Sequence, residues 1–336
     1  MINIPSLKSF RTLFNSVLVL LLLTIDVLAN EKTPGKGITV KPVISGTLDD
    51  RFRSEIAMAG LRELGYKIDG VTEANYEKIM PAIIAGKGDF SVDVWNKMHN
   101  KIYVDNGGKS KLTKGELIIP YVAQGYVIDK KTAKKFNITQ LSDFKKKEIA
   151  KLFDNNGDGK ADLVGCNTGW RCRKVIDHHL KAYGLENTID HNTSGYFKLL
   201  DKSIERYKEG KPILYFAWAP WSVALLVPGR DVVWLEVPFT SLPNGETNVN
   251  TVIDGVNVGF IVDQIVTVMG RDFALENKAA AKFLSLLQIP ESDESIQNLK
   301  VRNGERTLKD IKRHAKDWIQ INRNKFDAWL DQARSI

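Results

Sequence analysis

Apolar and polar positions alternate from Gly37 to Ser45, then give way to Leu48, Phe52, Ile56, Ala59 and Leu64 at helical spacing, with Gly65 as the stop. A period of two marks a half-buried strand, and a period of three to four marks one face of a helix. The exchange then repeats. Tyr66 to Ile68 is strand-like, Tyr76 to Ala85 is helical and closed by Gly86, and Asp89 to Trp95 alternates again. This β-α-β-α-β order predicts an open, largely parallel sheet flanked by helices. Such sheets take ligands at the carboxyl ends of their strands. Trp95 stands at one such end.

A second set of elements begins near Gly125, with Tyr126 to Asp129 as its first strand. Thr132 to Phe136 and Leu141 to Phe153 read as helical. Arg173 to Tyr183 brings Val175, Ile176, His179, Leu180 and Tyr183 onto one face and ends at Gly184. Tyr196 to Lys208 is a further helix, followed by strands over Pro212 to Trp218 and Asp231 to Val237. Apolar alternation returns near Val256 to Val268. Two helices follow, Glu276 to Leu287 and Leu308 to Ala333, and Ile311, Ala315, Trp318, Phe326 and Trp329 form a packing stripe on the second.

The N-terminus changes the picture of where this chain works. Lys8 and Arg11 precede a nearly continuous apolar run, Ser16 to Leu23, and Val27-Leu28-Ala29 carries the small residues of a processing site. Residues 1–29 therefore read as a cleaved secretory signal peptide, too short to span a membrane comfortably. No cysteine lies near the cut, so no lipid anchor is expected. The remaining length, about 300 residues, suits two domains. The net charge of +8 is spread out and alternates with acids, as in Lys145-Lys146-Lys147-Glu148. That is the pattern of solvated helix faces; a nucleic-acid binder concentrates its charge on one stripe.

Both cysteines fall in Gly165-Cys166-Asn167-Thr168-Gly169-Trp170-Arg171-Cys172, directly before a helix. Two cysteines in an exported protein are expected to pair. A loop this small adds about 2 kcal/mol, so its use is to hold a segment in shape. It would set the ring of Trp170 beside the amides of Arg171 and Cys172, and helix starts favour anions. Trp95, Trp218 and Trp221 also stand at strand ends or on turns, where indoles line clefts as often as they pack. Indole faces attract a quaternary ammonium, which has no hydrogen to donate. His99 follows Trp95 by one helical turn and offers a hydrogen bond to a carboxylate.

Asp154, Asn156, Asp158 and Asp162 alternate around Gly157 and Gly159 like the ligands of a calcium loop, but Gly165 stands where the bidentate acid belongs. The competing use is a tight turn of self-bonding Asx side chains. No nucleophile elbow, zinc-protease helix, P-loop or dinucleotide fingerprint occurs. No enzymatic activity and no cofactor are therefore expected.

The segments PGKGITV, AQGYVIDKKTA, IAKLFDNNGDGKADLVGCNTGW, SIERYKEGKP and DVVWLEVPF resemble the periplasmic glycine betaine/proline betaine-binding proteins of osmoprotectant ABC transporters. The likeness runs from about Pro34 to the C-terminus. It implies an α/β, two-lobed periplasmic binding protein fold of type II, each lobe an open sheet flanked by helices, with a hinge between them. Residues 30–124 and 258–336 would form a discontinuous first lobe and 125–257 the second. The resemblance places an ammonium cage on Trp95, Trp170 and Trp218, with Trp221 as an accessory. It places the carboxylate grip on the His99 side chain and the backbone amides of Arg171 and Cys172. The family has glycine where Arg171 stands. The implied partners are a betaine ligand and an inner-membrane permease with its cytoplasmic ATPase. The protein would be a periplasmic monomer that binds no nucleic acid. A binder of choline, carnitine or another quaternary ammonium compound is the alternative.

Overall fold

The computed structural model describes residues 33–219, 226–243 and 245–336. Its centre is one seven-stranded sheet. Six strands follow the order Phe90–Trp95, Asp263–Gly270, Leu112–Asp129, Leu214–Ala219, Ala161–Val164 and Ile189–Asn192. The seventh, Val232–Trp234, pairs with the end of Leu112–Asp129. That 18-residue strand joins two halves. From Leu112 to Val122 it lies antiparallel to Asp263–Gly270, and from Ala123 to Ile128 it lies antiparallel to Leu214–Ala219.

Each half has its own core. One gathers Phe52, Ile56, Phe90, Ile118 and Val122 with Phe283, Ile311, Trp318 and Trp329. The other gathers Tyr126, Ile128, Leu163, Ile176, Tyr196, Phe216 and Phe260. Trp95 packs against both. A buried Phe or Leu contributes about 1.5–3 kcal/mol, so two stocked cores favour two bodies over one stretched interior.

The sheet is mixed rather than largely parallel. Parallel pairing holds locally, between Thr39–Val40 and Lys67–Ile68, Val43–Ile44 and Thr72–Glu73, and Ala161–Val164 and Ile189–Asn192. The chain, however, leaves the first core along Leu112–Asp129 and returns along Asp263–Gly270, and these two run antiparallel. The long strand also starts at Leu112, not near Gly125. Pro120 and Gly125 lie inside this strand, each in a specific place. Pro120 is exposed at a register shift, where a missing N–H is tolerated. A Cβ on Gly125 would lie 2.9 Å from the Trp234 ring.

Two helical expectations are also revised, and one helix was not expected. Leu141 to Phe153 is three short turns rather than one helix, and the C-terminal stretch divides at Asn322 into Leu308–Ile321 and Arg323–Arg334. Glu291–Arg302 is a helix with no apolar stripe to betray it, because the residues it buries are Glu294, Gln297 and Asn298. The helices Leu48–Glu63, Tyr76–Ile84 and Tyr196–Lys208 stand where the periodicity puts them. No helix among the described residues is long and apolar enough to cross a membrane. The expected signal peptide lies outside the described residues.

Candidate functional site

Trp95, His99, Trp170, Arg171, Cys172 and Trp218 line one cavity where the two cores meet, with Thr47, Tyr76, Met98, Gln124 and Phe216 completing its wall. Trp95 ends the strand Phe90–Trp95, and the next four residues form a single turn in which the His99 N–H donates to the Trp95 carbonyl at 3.0 Å. The buried Asp263 carboxylate holds that turn by accepting the N–H groups of Lys97 at 2.7 Å and Met98 at 2.8 Å. His99 is buried, with Nδ1 lacking a hydrogen-bond partner. Burial, then the positive charge of Arg171, pushes its pKa down to about 4. The ring is neutral at pH 7 and offers one N–H as donor.

The opposite wall is the cystine loop, and Cys166 and Cys172 are bonded. Asn167 ties it to the next helix by accepting the Tyr196 N–H at 2.9 Å, and the Gly165 N–H donates to the Asn192 carbonyl at 3.0 Å. Gly169 has φ +89°, and a Cβ there would lie 3.3 Å from Asn75 Nδ2, which comes from the other half. The left-handed backbone is what calls for glycine, and the small residue lets the two halves approach. Trp170 is then the N-cap of helix Arg171–Ala182. The N–H groups of Arg171 and Cys172 open that helix, where no carbonyl of an earlier turn reaches them. They are free to bind an anion. Among non-glycine described residues only Asn137 and Asp254 have positive φ, so the backbone at Arg171 suits a side chain.

The rings are braced. Trp170 and Trp218 meet at 5.8 Å with perpendicular planes, and buried Tyr196 backs both, at 5.5 and 5.2 Å. Phe216 lies 6.0 Å from Trp218. Aromatic pairs of this kind add about 0.5–1.5 kcal/mol each and restrict ring motion. On the first half, the Tyr76 ring lies 5.9 Å from His99. Its hydroxyl donates to the Asp50 carboxylate, which also accepts from Thr47 at 2.8 Å. Asp50 in turn pairs with buried Arg53, whose guanidinium reaches Glu294 at 3.1 Å and Asp93 at 3.6 Å. One cation thus serves three carboxyls, and burial, then the charge of Asp50, raises the pKa of Asp93 well above its usual range.

Thr47, Tyr76, Met98, Gln124 and Phe216 were not anticipated as wall residues. Gln124 alone left a usable mark, as a polar residue inside the apolar run Ile118 to Ile128. Trp221 lies outside the described residues. The Asp154 carboxylate accepts the N–H groups of Gly157 at 2.6 Å and Gly159 at 2.8 Å, and Asp162 accepts that of Asn155 at 2.7 Å. These are the Asx turns of a self-bonded loop. Among the described residues no group of three or more His, Cys, Asp or Glu is placed to hold a metal ion.

Known proteins put this cavity in context. The family model OpuAC, described as the substrate binding domain of ABC-type glycine betaine transport system, matches residues 39–320. The chain belongs to the OpuAC family. OpuAC membership makes it a substrate-binding protein of ABC transport and not an enzyme. It is 42% identical over 315 residues to the glycine betaine-binding periplasmic protein OusX of Dickeya dadantii strain 3937, covering 93% of this chain and 95% of that protein. It is 41% identical over 302 residues to the glycine betaine/proline betaine-binding periplasmic protein of Escherichia coli K12, covering 89% of this chain and 91% of that protein. The fold is that of the solved glycine betaine, L-proline ABC transporter binding protein (ProX) from Borrelia burgdorferi. The TM-score is 0.67 at 17% identity, covering 88% of this chain and 98% of that one.

Proposed function

We propose that the chain is the periplasmic receptor of an osmoprotectant ABC importer, and that it binds glycine betaine and proline betaine for delivery to the membrane permease. The observation that carries this reading is a single cavity walled by three indoles, a neutral imidazole and two helix-opening amides. The indole faces of Trp95, Trp170 and Trp218 hold the quaternary ammonium, at about 0.5–2 kcal/mol each. The carboxylate takes hydrogen bonds from His99 and from the amides of Arg171 and Cys172, strengthened by its charge and by the helix start. Residues 30–124 with 258–336 and residues 125–257 act as two lobes. A ligand held by both favours their closed arrangement. The segment through Ala29 is removed on export, and the mature monomer works in the periplasm.

Titration calorimetry on the mature, oxidised protein tests the reading with glycine betaine, proline betaine and choline. Glycine betaine is expected to bind most tightly, and Trp170→Ala to weaken it at least about tenfold. Wild-type affinity in Trp170→Ala would remove the cage. A preference for choline would remove the carboxylate grip and make the protein a receptor for cations without an anion.

A further inference from the structure

Gln124 sits where the long strand passes from one half to the other. Val122 is the last residue paired with Asp263–Gly270, and Ala123 is the first paired with Leu214–Ala219. Gln124 lies directly opposite Trp218 in the antiparallel register, so the two side chains share one face of the sheet. Both line the cavity. Its neighbours Val122, Ala123, Tyr126, Val127 and Ile128 are buried.

Gln124 is only 2% exposed, and its Nε2 is buried with no hydrogen-bond partner. A buried amide left unpaired is costly, and an apolar residue would fill the same strand position without that cost. Gln124 lines the cavity, and a ligand held there is a source of the partner. A quaternary ammonium offers no acceptor, whereas a carboxylate has two oxygens with about four acceptor sites. With the His99 N–H and the amides of Arg171 and Cys172, the Gln124 amide makes a fourth donor.

We propose that Gln124 is a specificity-determining residue, donating its side-chain N–H to the ligand carboxylate and selecting carboxylate-bearing betaines over choline-like cations. This rests on the betaine reading above. A ligand without the anion leaves the donor unpaired in a dry site, which is how such sites reject analogues lacking one polar group. Gln124→Met keeps the volume and removes the donor. Gln124→Glu keeps the shape and replaces the donor with a charged acceptor.

The experiment is calorimetry with glycine betaine and with choline on the oxidised wild type and both variants, with circular dichroism and melting as fold controls. Gln124→Met is expected to weaken glycine betaine at least about tenfold while choline changes by less than about threefold. Gln124→Glu is expected to lose more betaine affinity and to gain choline affinity. Unchanged betaine binding in Gln124→Met, or an equal loss of both ligands in a folded variant, overturns the inference and leaves the betaine reading standing. If Gln124→Met does not fold, the betaine-to-choline ratio of Gln124→Glu decides, and a fall of less than about tenfold overturns it. A wild type without saturable betaine binding overturns the reading and this inference together.

Discussion

His99 ties the chemistry of the cavity to pH. Its pKa is pushed down to about 4 from an ordinary 6.5, so between those values the unfolded chain holds a proton that the folded protein does not. Stability is therefore expected to fall as pH drops from about 6.5 to about 4, by about 3 kcal/mol for this residue. Asp93, whose pKa is raised by burial, acts in the opposite sense and masks the effect in the wild type alone. The difference in urea midpoint between wild type and His99→Gln isolates it. A difference that does not vary across that pH range would disprove the neutral buried imidazole. Ligand affinity should be flat from about pH 6 to 8, since the donor stays neutral throughout.

Among the elements, the cystine loop separates stability from binding. The bridge closes a short loop whose shape sets the start of helix Arg171–Ala182 and the seat of Trp170. The double variant Cys166→Ser/Cys172→Ser is expected to lose about 2 kcal/mol of stability. It should also bind glycine betaine about tenfold or more weakly, because both the ring and the two amides lose their fixed place. Calorimetry beside denaturant unfolding checks this. Full affinity in the reduced loop would show that its contacts to Tyr196 and Asn192 suffice to hold it. This element was legible because its parts are local in sequence: two cysteines, the tryptophan between them and a helix start. The helix Glu291–Arg302 was not legible, since its buried face is polar and its ion pair, Glu294 with Arg53, comes from far along the chain.

At the scale of the molecule, two ion pairs among the described residues join elements of different cores. Lys174 of helix Arg171–Ala182 meets Glu77 of helix Tyr76–Ile84 at 2.9 Å, and Arg302 of helix Glu291–Arg302 meets Asp201 of helix Tyr196–Lys208. Lys174 is largely exposed, so its pair contributes about 0–1 kcal/mol and weakens with salt. Glu77→Lys is expected to lower glycine betaine affinity a few-fold, and the swap Glu77→Lys/Lys174→Glu to restore it. Small-angle scattering is expected to show a smaller radius of gyration with betaine than without. An unchanged radius would argue against closure of the lobes on the ligand.

Local order along the chain determined much: the amphipathic helices and their glycine stops, the indoles at strand ends, the cystine loop and the helix start beside it. Each follows from residues within a few positions of one another, where periodicity and backbone preference act. Only the tertiary structure decided that Trp95 and Trp218 face one cavity. That depends on Asp263 fixing the turn after Trp95 and on Leu214–Ala219 pairing with Ala123 to Ile128, contacts between residues distant along the chain. It also decided that Leu112–Asp129 runs unbroken through Pro120 and Gly125, and that Gln124 is a buried donor beside the indoles. Cross-strand register assigns a side chain to its face, and a strand's own residues do not carry the register of its partner.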